Sequence, residues 1–303
     1  MTQVLASDQA FYAFSPANPP VMTVAQGEPF VIETMDCFGD QVHSADYTMD
    51  ALDWNHINPA TGPVYIEGVK PGDIVRVKIT SLEVRGHATM CAIPGDGALA
   101  DFVSPETTIV ENVPGAIVLP TARGPLTLAA RPMIGVIGLA PAEGAVPNGT
   151  PDAHGGNMDC RLIGQGTTLY FKAAVEGGLF GCGDAHSLMG DGEVLVCGAE
   201  TPATVGLVID TVPVPALPTP FFETEDLYSV IVAAGSVDEA YKRACALFLG
   251  FMTDVVGLTV NDAGRLMTLV GDLKFCQVVD PQVTVRFEFP KAVLAQLGFT
   301  AIG

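Results

Sequence analysis

Basic residues are scarce in this chain of 303 residues. Lysine and arginine number 14 against 34 aspartates and glutamates, which gives a net charge of −20 and an isoelectric point near 4.3. So acidic a protein repels nucleic acid and anionic membranes, which argues against partners of either kind. The charge balance does not require a cationic substrate.

Targeting signals and long apolar runs are also missing. Residues 1–8 lack the basic start and the apolar run of a secretory signal. The longest apolar runs, such as 132–142 and 230–234, are shorter than the roughly 20 residues that cross a bilayer. We therefore expect a soluble, cytoplasmic protein.

The seven cysteines form no Cys-x-x-Cys pair. An odd number of widely spaced cysteines favours free thiols in a reducing compartment. Cys160 and Cys182 border the polar stretches described below, and either could act as a nucleophile, although a small buried hydrophobe is the commoner role of such a residue. The chain also lacks the G-x-S-x-G elbow, the G-x-x-x-x-G-K-[ST] phosphate loop and a G-x-G-x-x-G that opens a helix.

Most of the chain has the pattern of β-strands. Apolar residues occupy alternate positions in several segments, and one continuous apolar run predicts a strand that is buried on both faces. The predicted strand segments are 20–35, 63–85, 108–111, the apolar run 132–140, 167–175, a segment that begins at 194, and 284–289. These segments predict a mainly β fold of the sandwich or barrel type.

Helices are predicted only near the C-terminus, where they make a smaller α+β portion. Ser236 followed by Glu239 has the pattern of a capping box, which opens a helix that runs to about residue 254. Residues 261–269 have a second helical pattern. The predicted regions are an N-terminal β-rich region at 1–130, a central β region with the active-site loops at 131–204, and a C-terminal α+β region at 205–303.

Two polar, glycine-rich stretches are unusual in so apolar a sequence. They are His154-Gly-Gly-Asn-Met-Asp159 and Gly183-Asp-Ala-His186, the second of which is followed by Gly190-Asp-Gly-Glu193. Imidazoles and carboxylates bind ions or move protons, and we expect both stretches to be loops at the ends of strands. The spacing Asp-x-His puts both of its side chains on one face of an extended segment.

These residue types suit zinc or another divalent ion that lowers the pKa of a bound water. The candidate metal ligands are His154, Asp184, His186 and, from the N-terminal part, Asp36. The candidate catalytic residues are Glu193 and Asp191 for proton transfer and Asn157 for holding an oxyanion. From spacing alone, the alternative is a polar loop whose acids cap turns.

Several motifs, taken in order, resemble those of the acetamidase/formamidase family. Besides the two polar stretches, the motifs are Glu33-Thr-Met-Asp36, Asn58-Pro-Ala-Thr-Gly-Pro63, Pro71-Gly-Asp73, Val270-Gly-Asp-Leu273 and Gln277-Val-Val-Asp-Pro281. The resemblance spans about residue 20 to the C-terminus. It implies hydrolysis of a short-chain amide to ammonia and a carboxylate, a mostly β fold, a divalent metal and a homo-oligomer.

The resemblance also assigns positions. Carried over residue by residue, the family's histidines, aspartates and glutamate fall on His154, Asp159, Asp184, His186, Asp191 and Glu193. The family usually has a glutamine where this chain has Met189, which implies a different substrate or a lower activity.

We therefore expect a metal-dependent hydrolase of a formamide- or acetamide-type amide, with zinc as the favoured ion and calcium as the alternative ion. Two other hypotheses stay open at the level of sequence. One is a non-catalytic β-sandwich that binds a ligand through a structural cation. The other is a thiol-dependent amidase that uses Cys160 or Cys182.

Overall fold

Strands make up most of the regular structure. The computed structural model describes residues 2–303 of the chain. The first eleven strands are β1 (Gln3–Leu5), β2 (Ala10–Phe11), β3 (Ala13–Phe14), β4 (Met22–Val24), β5 (Pro29–Thr34), β6 (Ala60–Ile66), β7 (Ile74–Val84), β8 (Ala88–Ala92), β9 (Glu106–Val113), β10 (Ala116–Leu119) and β11 (Leu126–Ala129). The later strands are β12 (Met133–Gly138), β13 (Val146–Pro147), β14 (Gly155–Asn157), β15 (Thr168–Lys172), β16 (Phe180–His186), β17 (Glu200–Thr201), β18 (Ala203–Val212), β19 (Phe221–Glu223), β20 (Leu227–Ala234), β21 (Asp272–Gln277) and β22 (Val283–Pro290).

The α-helices all lie in the C-terminal part of the described chain. They are α1 (Val237–Gly250), α2 (Val260–Val270) and α3 (Lys291–Ala295). A π-helical turn at Phe251–Val255 follows α1, and short 3₁₀ turns occur at Met49–Ala51 and Trp54–His56. No helix within residues 2–303 is long and apolar enough to cross a membrane.

Two large sheets contain nearly all of the strands. The nine-stranded sheet has the order β1-β5-β18-β7-β15-β19-β20-β22-β21. The eleven-stranded sheet has the order β11-β10-β9-β8-β17-β16-β12-β14, and β6 pairs with β16, β2 and β4. Each sheet combines strands from the first two predicted regions, and the region boundaries at 130 and 204 stay a prediction.

The two sheets pack face to face over the main hydrophobic core. Ile32, Val77 and Val205 of the nine-stranded sheet share one buried cluster with Ile134 and Phe180 of the eleven-stranded sheet. Two sheets that bury their inner faces against each other form a sandwich. The predicted mainly β fold with a smaller C-terminal α+β portion is therefore confirmed.

The C-terminal helices cover one end of the nine-stranded sheet. Helix α1 buries Ala240, Ala244 and Phe248 in a second cluster of apolar residues. It begins after Ser236, whose hydroxyl accepts a hydrogen bond of 3.3 Å from the backbone N–H of Glu239. This bond is the N-cap that the sequence predicts.

Two local predictions are wrong. Residues 194–197 form a turn rather than a strand, because Val196 takes a φ of 105° and its N–H bonds to the Glu193 carbonyl at 3.0 Å. The polar stretches at 154–159 and 183–186 are not loops, since β14 and β16 run through them, whereas residues 190–193 do lie in a loop after β16. Glycines allow this close pairing: a Cβ on Gly155 would lie 2.2 Å from the carbonyl oxygen of Ile137 on β12.

Candidate active site and metal-binding cluster

Acidic side chains from distant parts of the chain line a cavity of about 130 Å³, which we call the acidic cavity. Its polar lining consists of Asn58, Asn157, Asp184, Glu193, Glu200 and Asp280. Its remaining wall includes the apolar side chains of Phe38, Trp54, Ile57, Ile93 and Val196 and the thiols of Cys37, Cys91 and Cys197. A cavity well below the ~300 Å³ of drug-sized sites suits a ligand of a few heavy atoms.

Strand β12 makes room for the acidic cluster by having no side chain at Gly135. A Cβ built on this glycine would lie 2.3 Å from Asp159 Oδ1, 2.5 Å from Asp184 Oδ2 and 3.1 Å from Asn157 Oδ1. The neighbouring strands β14 and β16 pair with β12 on either side. The polar side chains of both strands therefore converge over one backbone position of β12.

Three of the acidic residues in the cluster have a strained backbone conformation. Asp159, Asp184 and Glu193 have φ values of 41°, 54° and 49°. Left-handed backbone costs about 1–3 kcal/mol at a residue other than glycine, and it persists where the surroundings enforce it, typically at functional sites. The fold thus directs three acidic side chains to one place at an energetic cost.

His186 is fully buried among these carboxylates. Its Nε2 lies 3.0 Å from Glu200 Oε2 and 3.4 Å from Asp184 Oδ1, and its Nδ1 lies 4.0 Å from Glu193 Oε1. Burial alone would lower the pKa of the ring, but the carboxylates of Glu200 and Asp184 raise it well above its usual value. Gly198 provides space for the ring, since a Cβ there would lie 2.5 Å from Nδ1.

In the absence of a counter-ion, several carboxyl groups of the cluster have raised pKa values. Burial, reinforced by neighbouring carboxylates, raises the pKa of Asp159, Glu193 and Asp280 well above the usual carboxyl value. Burial raises the pKa of Glu200 to about 7, although His186 opposes that shift. A group of buried carboxylates this close is stable only when protonated or when it surrounds a cation.

Two sets of side chains have the geometry of metal donors. In each set the ligand atoms lie within 4.8 Å of one another, and all six residues are buried. The first set is Asp159, His186 and Glu193, and the second is Cys37, Asp184 and Glu200. Asp159 Oδ1 and His186 Nδ1 have no hydrogen-bond partner among residues 2–303. Unpartnered buried donors of these kinds fit a divalent metal.

Comparison with known proteins decides the family. The model of the Acetamidase/Formamidase family matches residues 3–148 and 142–294 of this chain. The chain belongs to that family. The acetamidase/formamidase resemblance stated from the motifs is therefore confirmed.

Individual relatives agree with this family membership. A formamidase of Methylophilus methylotrophus is 27% identical over 297 residues, which cover 75% of this chain and 72% of the relative. The crystal structure of an acetamidase from Bacillus halodurans is 35% identical, with a TM-score of 0.94 over 98% of this chain and 100% of that one. A recombinant predicted acetamidase/formamidase from Thermoanaerobacter tengcongensis is 37% identical, with a TM-score of 0.93 over 98% of both chains.

Membership of the acetamidase/formamidase family makes this chain an amidase, a hydrolase of amide C–N bonds. The hypothesis of a non-catalytic β-sandwich is not favoured.

His154, predicted as a metal ligand, lies outside the acidic cavity. Its ring packs edge-on against Phe14, with ring centroids 5.1 Å apart, and it lines a separate cavity beside Lys172. Burial lowers the pKa of the ring. The structure brings the predicted ligands Asp184 and His186 together, but it does not bring His154 to them.

Asp36, the fourth predicted ligand, is next to the cluster but belongs to neither donor set. Its Oδ1 accepts a hydrogen bond of 2.8 Å from the backbone N–H of Asp40, and Asp40 Oδ1 accepts one of 3.0 Å from the N–H of Asp36. Burial raises the pKa of Asp36 to about 7, and the charge of Asp184 contributes. These bonds fix the loop that holds Cys37 at the cavity.

Asp191, predicted as a catalytic carboxylate, is occupied by an ion pair. Arg286 holds both of its oxygens, with Nη1 at 2.7 Å from Oδ1 and Nη2 at 2.8 Å from Oδ2. Arg161 Nε lies 3.0 Å from Oδ1. A carboxylate bound in this way anchors its loop, and it has no oxygen free to take a proton from substrate.

Asn157, predicted to hold an oxyanion, does line the acidic cavity. Its side-chain nitrogen donates to Asp280 Oδ2 at 3.0 Å, and its Oδ1 has no hydrogen-bond partner among residues 2–303. The amide therefore has a defined neighbour in the cavity, a carboxylate that sequence reasoning did not select.

Three residues of the cluster were missed as site residues from sequence. They are Cys37, Glu200 and Asp280. Asp280 lies inside a motif that carries the family resemblance, so that motif contained a signal for it, and Asp159 is among the positions that the resemblance assigned. Cys37 and Glu200 have no such signal, because a lone cysteine and a lone glutamate are most often a core and a surface residue.

The remaining candidates lie elsewhere. Cys160 and Cys182 are fully buried and do not line the acidic cavity, and burial raises the pKa of the Cys182 thiol to about 12. Met189 lines a neighbouring apolar cavity that shares Glu193 and Cys197 with the acidic one. The methionine thus does not line the acidic cavity.

Proposed function

We propose that this amidase hydrolyses a short-chain linear amide, of the formamide or acetamide type, in the acidic cavity with the help of a divalent metal. The observation that carries the proposal is a buried cluster of two adjacent three-residue donor sets, of which Cys37, Asp184, Glu193 and Glu200 line the acidic cavity. The names of the relatives, formamidase and acetamidase, support the substrate class.

The proposed ligands differ from those chosen from sequence. We keep Asp184 and His186 and assign the other positions to side chains that lie within reach of them, in place of Asp36 and His154. The full proposed donor set is Cys37, Asp159, Asp184, His186, Glu193 and Glu200. Imidazole and thiolate donors favour zinc over calcium, which takes oxygen ligands. A bound divalent ion supplies a polarised carbonyl and a water of lowered pKa.

The two sides of the cavity suit the two ends of a short amide. Carboxylates on the polar side can accept hydrogen bonds from an amide NH₂ group, which is a donor. The apolar side chains of Phe38, Trp54 and Ile57 border the same space and can contact an acyl methyl group. The small volume limits the acyl chain to a few carbons. A homo-oligomer is also proposed on the resemblance alone, and a cytoplasmic location on the odd number of widely spaced cysteines.

The test is ammonia release from formamide and acetamide by purified protein, measured before and after chelation and after addition of Zn²⁺, with elemental analysis of each sample. We expect activity to disappear with the metal and to return with it. Full activity of the metal-free protein would contradict the metal-dependent mechanism.

A pair of variants links the metal to the cavity. His186→Asn should lose bound metal and activity together, because His186 is the only imidazole in the donor sets. The matched control is His43→Asn, because His43 is exposed and should keep both. Equal metal content in the two variants would remove His186 from the proposed ligands.

A further inference from the structure

Given the amidase function proposed above, one side chain must take a proton from the attacking water and return it to the leaving nitrogen. Arg286 holds both oxygens of Asp191, and Glu193 belongs to a donor set with His186. Asp280 lines the cavity and belongs to neither donor set. Among the carboxylates that line the cavity, Asp280 is therefore the one that neither pairs with a cationic side chain nor belongs to a set of metal donors.

Asp280 is oriented by one side-chain hydrogen bond. Asn157 Nδ2 donates to its Oδ2 at 3.0 Å. Within residues 2–303, side-chain hydrogen bonds engage this oxygen alone, which leaves Oδ1 available to a ligand in the cavity. A general base needs this combination of a fixed carboxylate and a free oxygen.

The backbone of Asp280 is fixed by Gln277, which is fully buried. Gln277 Oε1 accepts hydrogen bonds from the N–H of Val279 at 2.8 Å and from the N–H of Asp280 at 3.0 Å. Its Nε2 donates to Thr284 Oγ1 at 3.0 Å. The side chain thus closes the turn between β21 and β22 and holds the aspartate in one position.

The same turn is joined to the loop of Glu193. The N–H of Gly192 donates to the carbonyl of Cys276 at 2.8 Å, and the N–H of Val278 donates to the carbonyl of Gly192 at 3.2 Å. These two bonds form a short parallel bridge between the loop and the end of β21. Asp280 therefore keeps a fixed distance from the donor set that includes Glu193.

We propose that Asp280 is the proton-transfer residue of the amidase reaction. As the water oxygen bonds to the carbonyl carbon, one water proton moves to Asp280 Oδ1. The C–N bond then breaks, its electron pair goes to nitrogen, and the proton moves from Oδ1 to that nitrogen. One amide and one water give one carboxylic acid and one ammonia, and Asp280 returns to its starting state.

The electrostatic surroundings agree with this role. Burial, together with the charge of Asp184, raises the pKa of Asp280 well above the usual carboxyl value, while Asn157 and His186 oppose the shift. A carboxyl pKa closer to neutrality makes a better proton carrier at neutral pH. The titratable groups that face Asp280 in the cluster are Asp159, Asp184, His186, Glu193 and Glu200.

Asp280→Asn tests the role, because it keeps the size of the side chain and removes its ability to take a proton. We expect kcat to fall by about 10²–10⁴-fold, with wild-type metal content and a small change in KM. The acidic limb of the pH profile of kcat should disappear. The matched control is Asp272→Asn at the start of β21, where the side chain is exposed, and it should behave as wild type.

Three results would overturn the proposal: activity of Asp280→Asn within a few-fold of wild type, an unchanged acidic limb, or loss of metal in proportion to activity. If this variant does not fold, Asp280→Glu is the second test, because it keeps a carboxylate but displaces it. Asp280→Glu should retain the acidic limb of the pH profile with a reduced kcat. An unchanged kcat in Asp280→Glu would refute the role. Absence of ammonia release by the wild type would count against the proposed function itself.

Discussion

Gly135→Ala should disrupt metal binding far more than it disrupts the fold. The added methyl group would lie 2.3 Å from Asp159 Oδ1 and 2.5 Å from Asp184 Oδ2, about 1 Å inside the ~3.5 Å of favourable non-bonded contact. Overpacking of this kind costs about 1–3 kcal/mol of stability. Metal–ligand distances tolerate only about 0.2 Å, so a displacement of about 1 Å exceeds what the donor set can absorb.

We therefore expect Gly135→Ala to stay folded with a reduced Tm. Its metal affinity should fall by about 10–100-fold or more, since changing a residue that only supports the ligands already costs about 10–100-fold. Metal titration, thermal unfolding and ammonia release measure the three effects. Gly235→Ala is the matched control, because a Cβ there has no atom within 4 Å. Stoichiometric metal and wild-type kcat in Gly135→Ala would refute a metal site over this glycine.

Two further predictions concern charge. In metal-free protein, burial raises the pKa of Asp36 and Glu200 from 3.8 and 4.5 to about 7. At these two positions the folded state then binds more protons than the unfolded state, so their contribution to stability is complete below about pH 4 and is lost as the pH rises to about 7. A Tm of the chelated protein that rises over this interval would contradict it. Asp191→Asn removes one of the two carboxylates that pair with the buried Arg286, the other being Glu288 at 2.6 Å, and the loss of hydrogen bonds between charged groups costs about 1.5–3 kcal/mol. The loss of this anchor should also lower kcat through Glu193, and an unchanged Tm and kcat would show that the pair does not position the loop.

The fold could be predicted from sequence because its signals are local. The apolar run at 132–140 contains β12, which is buried along its whole length, and the Ser236 cap marks the start of α1. The failure at 194–197 has a local cause that propensity cannot show: Val196 has a left-handed φ, which a β-branched residue rarely adopts. Tertiary packing determines the backbone there, against the preference of the residue.

The site could be predicted only where its residues are close in sequence. Asp184 and His186 are two positions apart, and their side chains meet at 3.4 Å. His154 directly precedes β14 and Asn157 is its last residue, and alternation along a strand puts residues three positions apart on opposite faces. Because the sequence predicted a loop here, it did not show that His154 and Asn157 lie on different faces.

The part of the site that sequence could not reveal comes from the C-terminal strands. Asp280 meets Asn157 across 123 positions of the chain, and Arg286 meets Asp191 across 95. Fully buried Arg286 needs charged partners, and it pairs with Glu288 on its own strand and with Asp191 in the loop that includes Glu193. The acidic cavity is therefore complete only when β21 and β22 are in place, so the C-terminal α+β portion forms one wall of the site.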